Sequence, residues 1–215
     1  MFIAISYVNQ IKAQQDDKNK IIEEFKNTKI ALYQELQQEF RKDFESNHWN
    51  AVIDNDLSIR FLNERVFFAY DRDNLNPVFK DILRDFFPRY INILLKPQYR
   101  NKIAEVRIEG HTDSSGEYMY NVNLSQRRTA NVLDFLLNKG NNAVFNMPVK
   151  DQQLIKFWFT ANGFSSGRTL DNDGAFTLQT GHSENSQKSR RVEFRIVTKT
   201  NELVEVLAKQ LETIY

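Results

Sequence analysis

Cysteine is absent from the 215 residues. That removes disulfides, zinc–thiolate centres and thiol nucleophiles together. It is compatible with an oxidising compartment. Histidine is scarce, and His48, His111 and His182 are scattered along the chain. An excess of charge of one sign is also missing, with 29 Lys+Arg against 28 Asp+Glu. A nucleic-acid binder needs a basic excess to displace counterions, so no nucleic-acid partner is expected. No run reaches the roughly 20 apolar residues that span a bilayer. Residues 9–45 contain neither glycine nor proline. What is present is core material: 41% hydrophobic residues, with 17 phenylalanines. The length suits one domain of ordinary size plus an extended arm.

Met1 to Val8 is apolar apart from Ser6 and Tyr7. No basic stretch precedes it and no small-residue cleavage site follows, so it does not read as a signal peptide. Two readings stay open: a short apolar start tucked onto the domain, or the outer half of a transmembrane helix. From about Asn9 to Glu45 the chain is polar, with Phe25, Leu32, Leu36, Phe40 and Phe44 at helical spacing. This predicts a long amphipathic helix whose stripe packs on the domain or on a second copy. Leu57 to Phe61 alternates like a strand, and Val66 to Phe68 is a short apolar run. Asn74 to Pro77 starts a helix carrying Val78, Ile82, Leu83, Phe86 and Phe87, continued past Pro88 and ended at Lys96-Pro97. Ile103 to Gly110 reads as a strand, and His111 to Asn123 as a polar loop. Leu124 to Leu137 reads as a helix with Ala130, Leu133, Leu136 and Leu137 on one side, capped by Asn123 and Gln126. Lys139 to Pro148 reads as loop, Asp151 to Ile155 as a short helix and Phe157 to Gly163 as a strand. Phe164 to Ser189 reads as a mobile insertion. Arg191 to Val197 is the last strand and Glu202 to Ile214 a terminal helix. The order implies an α/β fold, a two-layer α+β sandwich with helices on one face of a mixed sheet.

The chemistry concentrates in Gly110-His111-Thr112-Asp113-Ser114-Ser115-Gly116, followed by Tyr120-Asn121 and Leu124-Ser125-Gln126-Arg127-Arg128. A strand end, a glycine loop and a helix start can aim several backbone N–H groups into one space. Asp113 with a nearby guanidinium suits a zwitterionic ligand, since the carboxylate accepts from an ammonium and the guanidinium forks onto a carboxylate. Helical position alone does not choose between Arg127 and Arg128.

Gly110-His111-Thr112-Asp113-x-x-Gly116 with Asn121-x-x-Leu124-Ser125-x-x-Arg128 resembles the signature of the OmpA/MotB C-terminal domain family. Arg190-Arg191-Val192-Glu193 resembles that family's closing motif. The likeness covers roughly Leu57 to Val197. It implies an OmpA-like domain that binds peptidoglycan without covalent bonds, through the diaminopimelate of the stem peptide. Asp113 and Arg128 would hold its zwitterionic end; Asn121, Thr112, Gly116 and Arg191 would shape or support the pocket. The motif count selects Arg128 over Arg127. No catalytic residue, metal or cofactor is implied. Ser189 stands where the family commonly has Asn, Thr129 where it has Ala, and the insertion is longer than usual.

The likeness also implies a plan. Residues 1–8 would be a transmembrane remnant, 9–50 a helical periplasmic linker, 51–200 the peptidoglycan-binding domain with its 164–189 loop insertion, and 201–215 a C-terminal helix. There is no sequence for a porin barrel and no cysteine for a lipid anchor. A membrane span, linker and wall domain is the plan of motor stator B subunits, inner-membrane proteins with the domain in the periplasm. Such subunits dimerise and pair with a MotA-type partner. The stretches Glu117 to Asn121 and Ser189 to Glu193 are more similar to the stator-like B subunit of Zorya anti-phage defence systems than to flagellar stators. The alternative is a free periplasmic or outer-membrane-associated wall-binding protein with no motor role.

Bland readings stand beside these. Asp113 alone could cap a turn, and Arg128 alone could be a surface residue; the joint motif favours the ligand. Glu109, His111 and Asp113 share a strand face, but without a fourth ligand they read as polar pocket wall rather than a metal site. Ser125 with His111 lacks a nucleophile elbow and a third triad member, so no enzyme is expected. Tyr118 and Tyr120 are either loop packing or sugar-stacking groups. His48-Trp49 reads as packing at the junction between helix and domain.

Overall fold

The computed structural model describes residues 2–46, 49–62, 67–69, 71–138 and 144–199. His48, Val66, residues 139–143 of the expected Lys139 to Pro148 loop, the helix expected over Glu202 to Ile214 and the side chains of Met1 to Val8 lie outside the described residues. Helix α1 spans Phe2–Glu45. Strands β1 (Ala51–Ile53) and β2 (Ser58–Leu62) follow, then α2 (Pro77–Leu94), α3 (Pro97–Arg100) and β3 (Ile103–His111). Next come α4 (Tyr118–Leu137), α5 (Val149–Trp158), β4 (Phe159–Gly163), α6 (Thr177–Thr180), α7 (Ser186–Ser189) and β5 (Arg191–Thr198). Among the described residues no helix is both long and apolar enough to cross a membrane.

The strands form one five-stranded mixed sheet in the order β1-β2-β5-β3-β4. Only β3 and β4 run parallel, and α4 and α5 supply the crossover between them, as a parallel pair requires. Register places Ile59 beside Phe194, Ile108 beside Phe194, and Gly110 beside both Val192 and Gly163. Period-two alternation therefore gives the sheet one apolar face and one charged face. The apolar face carries Ile59, Phe61, Val106, Ile108, Val192, Phe194 and Ile196, all buried.

Helix α2 covers that face. Pro77 sits at its first turn, where the missing N–H is harmless. Its buried stripe of Phe79, Ile82, Leu83, Phe86, Phe87, Tyr90, Ile91 and Leu94 follows the 3.6-residue period. Phe61 lies edge-on to Phe67, Phe79, Phe86 and Phe194, with centroids 5.2–6.2 Å apart. The C-terminal half of α1 lies against the same layer through Leu32, Leu36 and Phe40. Of the two packings open to that stripe, the structure adopts the one on the domain.

Several expected boundaries shift. β1 was not foreseen; three residues give too little alternation to read. α4 starts at Tyr118, six residues before the expected Leu124, so Asn123 is a mid-helix residue and caps nothing. Its buried face is Asn121, Leu124, Ser125, Arg128, Thr129, Val132 and Leu136 rather than one built on Ala130, which is exposed. α5 runs to Trp158 and takes two residues from the expected strand. The stretch expected as a mobile insertion is instead cross-linked by hydrogen bonds. Asp171 Oδ1 accepts from the Asp173 and Ala175 amides, and Asp171 Oδ2 from Thr180 Oγ1. Ser189 Oγ accepts from the Leu170 amide.

Candidate functional site

The loop between β3 and α4 lies where the sheet ends and α4 begins. Gly110 and Gly163 let α4 come down onto the sheet here. A Cβ on Gly110 would lie 2.9 Å from the Ser125 carbonyl oxygen, and one on Gly163 only 2.4 Å from the Gln126 amide nitrogen. The loop is held internally. Asp113 Oδ1 accepts from the Ser115 amide at 3.1 Å, and Asn121 Nδ2 donates to the Ser115 carbonyl at 2.7 Å. Thr112 Oγ1 donates to the Asp113 carbonyl at 3.0 Å. Gly116 takes a positive φ of 84°, which turns the chain into α4.

These groups wall a cavity of about 290 Å³ lined by Phe68, Asp71, Thr112, Asp113, Ser115, Gly116, Tyr120, Asn121, Leu124, Arg128 and Arg190. Five of the six residues expected in the site are thus brought together: Asp113, Arg128, Asn121, Thr112 and Gly116. Arg128 is 4% exposed, with Nε donating to the Arg72 carbonyl at 2.8 Å and its guanidinium 4.8 Å from the Phe68 ring centre. Arg127 points outward and pairs with Asp73 at 2.8 Å. Of the two arginines between which helical position does not choose, Arg128 is the one that lines the cavity.

Arg191, the sixth, is not at the cavity. It is buried on the charged face of the sheet, where it pairs with Glu193 and donates to the Arg168 and Ser189 carbonyls. Its neighbour Arg190 is the one that lines the cavity and pairs with the Asp113 carboxylate. Strand parity carried that signal. Arg190 falls in phase with Val192 and Phe194, which face the helices, and Arg191 with Glu193, which does not. Tyr120 also lines the cavity, and its hydroxyl donates to Asp71. That bond holds the phenol above its ordinary pKa. Phe68 and Asp71, from the segment before α2, carried no motif that could announce them.

His111 does not wall the cavity either, contrary to the sequence expectation. It lies on the charged sheet face, stacked on Phe164 with centroids 5.2 Å apart and rings 12° from parallel. Its Nε2 is 3.6 Å from Glu109 and 3.8 Å from Glu193, too far for hydrogen bonds. Burial, reinforced by Arg191, pushes its pKa down to about 4, so it is neutral at pH 7. Glu109, His111 and Glu193 bring their ligand atoms within 4.8 Å of one another, and Asp113 is not part of that group. Guanidiniums already surround its carboxylates: Arg60 and Arg195 at 3.3 Å from Glu193, Arg168 at 3.3 Å and Arg195 at 3.4 Å from Glu109. A divalent cation would meet that positive charge directly, so the group reads as a support network behind the loop. Burial works against the Glu193 carboxylate, but Arg191 and His111 outweigh it and hold its pKa down to about 2.

A mixed sheet of this order, with a polar cavity at the strand ends, defines an OmpA-like domain. The chain belongs to the OmpA family, whose pattern matches residues 67–191. It is 36% identical over 208 residues to the Zorya protein ZorB of Escherichia coli (strain Crooks), across 92% of this chain and 81% of that protein. It is 27% identical over 129 residues to the Zorya protein ZorB of Escherichia coli O139:H28, across 60% of this chain and 47% of that protein. In fold it is similar to a MotB like protein from Desulfovibrio vulgaris, with a TM-score of 0.52 and 21% identity over 82% of this chain and 94% of that one.

Proposed function

We propose that this chain binds peptidoglycan non-covalently, gripping the diaminopimelate of the stem peptide, and anchors a stator-like membrane protein to the cell wall. The observation that carries the reading is the placement of Asp113 and Arg128 on the wall of one small cavity. The free end of diaminopimelate carries one ammonium and one carboxylate. Asp113 would accept from the ammonium, and the Arg128 fork would take the carboxylate. Arg190 stands beside Asp113 and supplies a second guanidinium. Thr112, Ser115, Gly116 and Asn121 fix the loop around them. In this reading Arg191 supports the loop from behind the sheet and touches no ligand.

The stator part of the reading rests on the likeness to the Zorya protein ZorB and on α1. The stripe of α1 from Leu32 to Phe40 is used up against the domain, so a homodimer would form through its N-terminal half. A MotA-type inner-membrane partner and a periplasmic position for the domain complete this proposal. The reading is that of a binding module without turnover.

Co-sedimentation with purified diaminopimelate-type sacculi tests the grip. Wild type should pellet, while Asp113→Ala and Arg128→Ala should stay in the supernatant with unchanged circular dichroism. A folded wild type that does not pellet would sink the reading.

A further inference from the structure

We propose that Glu184 is a positioning residue for the grip: it clamps the peptide unit that follows Asp113 and so sets how the Asp113 carboxylate faces the cavity. The inference rests on the diaminopimelate reading and deepens it. It assigns a role at that site to the Gly-, Ser- and Asn-rich stretch from Phe164 to Ser189. Both ends of this stretch are stitched to the ligand loop or the strand that leads into it. At its start the Phe164 amide donates to the Gly110 carbonyl, and the Ser165 carbonyl accepts from the Thr112 amide, both at 2.9 Å. Near its end Glu184 reaches Ser114, with its two carboxylate oxygens 3.2 and 3.3 Å from the Ser114 amide nitrogen. The Ser114 hydroxyl donates to the same carboxylate.

The peptide unit between Asp113 and Ser114 is thereby held by both of its polar groups. Its N–H donates to Glu184, and its C=O accepts from Thr112 Oγ1 at 3.0 Å. A peptide unit turns as a rigid plane about the soft dihedrals on either side of it. Held at one end it can still turn; held at both, it turns only by losing both bonds. That plane sets ψ of Asp113 and φ of Ser114. With those dihedrals fixed, the Ser115 amide lies 3.1 Å from Asp113 Oδ1, and Oδ2 is left to pair with Arg190. The aim of the ligand carboxylate thus follows from a backbone bond made by a side chain 70 residues further on.

Glu184 is itself fixed from both sides, unlike a surface carboxylate on a slack loop. Two residues before it, His182 Nδ1 lies 3.2 Å from Asp171 Oδ2. Asp171 is buried and also binds the Asp173 and Ala175 amides. Directly after it, the Asn185 amide donates to the Leu170 carbonyl at 2.7 Å, and Asn185 Nδ2 donates to Asn172 Oδ1 at 2.9 Å. Asn185 Oδ1 caps α7 by accepting from the Lys188 amide at 3.0 Å. Asp171 and Asn185 therefore hold the platform from which Glu184 reaches the loop. A loop ordered in this way before the ligand arrives loses less freedom when the ligand binds.

Two measurements on the full chain test this: calorimetry with a free diaminopimelate-containing stem peptide, and amide exchange by NMR without peptide. Glu184→Ala should weaken peptide binding about fivefold, as expected for one hydrogen bond lost at a partly exposed site, and should speed exchange of the Ser114 amide. Glu184→Gln keeps an acceptor oxygen without the charge, so it should bind within about twofold of wild type. In both variants the Asp173 and Ala175 amides, which Asp171 holds, should exchange as in wild type. Equal losses in the Ala and Gln variants would make Glu184 a charge contact of the ligand and overturn the positioning role. Unchanged or tighter binding by Glu184→Ala would overturn it as well, since a carboxylate that merely repels the ligand's own gives that result. Faster exchange at Asp173 and Ala175 in the Ala variant would trace its weaker binding to a loosened insertion, and overturn the role too. In each of these cases wild type still binds and the cavity reading stands. If wild type does not bind the peptide at all, the cavity reading fails and the positioning role with it.

Discussion

At the scale of single residues, the site depends on two glycines as much as on its charges. A Cβ on Gly163 would lie 2.4 Å from the Gln126 amide nitrogen and 2.8 Å from Ser125 Oγ. Backbone atoms cannot swing aside, so Gly163→Ala should cost about 2–3 kcal/mol in urea unfolding. Gly167→Ala meets nothing closer than 3.4 Å and should cost less than about 1 kcal/mol. Equal effects would refute the close-approach argument. His111 makes a second prediction, through pH. Its folded pKa of about 4 lies below the ordinary 6.5. Between those values the unfolded chain takes up a proton that the folded chain refuses. Stability should therefore be complete above pH 6.5, fall as pH drops toward 4, and lose up to about 3 kcal/mol on this account. Glu193, held down to about 2, adds a further loss below about pH 4.5. Urea midpoints from pH 7 to 4.5 would show the slope. His111→Phe, which keeps a ring on Phe164, should flatten it; a slope unchanged in that variant would assign it elsewhere. The ligand-loop motif was readable because its residue types are rare together. Arg190 was readable only through strand parity, and Phe68 and Asp71 not at all, since they reach the cavity by tertiary folding.

At the scale of elements, the informative case is the docking of α1. Arg89 on α2 reaches Glu39 Oε1 at 2.7 Å, the Glu39 carbonyl at 2.9 Å, Asp43 at 2.9 Å and Asp85 at 3.0 Å. Its guanidinium also lies 4.7 Å from the Phe40 ring centre and 5.5 Å from that of Trp49. One side chain thus combines a fork, two rings and three carboxylates. Arg89→Ala should destabilise the fold by about 2 kcal/mol and speed amide exchange over residues 36–44. Arg89→Lys should fall between, because a point charge loses the fork. Exchange that stays slow in the Ala variant would show that the apolar stripe alone holds α1. The stripe itself was legible from its spacing. The true start of α4 was not: its buried face is built from Asn121, Ser125, Arg128 and Thr129, which periodicity reads as solvent-facing. The same cause hid the order in the insertion, where a buried Asp171 organises a stretch rich in Gly, Ser and Asn.

At the scale of the whole molecule, α1 gives the chain its shape. Forty-four helical residues extend about 66 Å, and the described contacts of the helix with the domain run from Glu24 and Phe25 to Phe40 and Asp43. A long arm on a small domain is the geometry that the proposed tether needs. The fold class and the family could be read from sequence because they rest on alternation and one dense motif, and five of the six residues proposed from that motif line one cavity. The proposed partner and membrane placement rest on the family likeness, since they depend on surfaces that one chain does not pair. The central claim is the chemistry of the grip. Its most direct test is the affinity of the full chain for two stem peptides that differ only at the third residue, diaminopimelate or lysine. Lysine keeps the ammonium and lacks the carboxylate. The account predicts that wild type prefers the diaminopimelate peptide by about 100-fold, as expected for a lost charged pair, and that Arg128→Lys removes most of that preference. Equal affinity for the two peptides in wild type would contradict it.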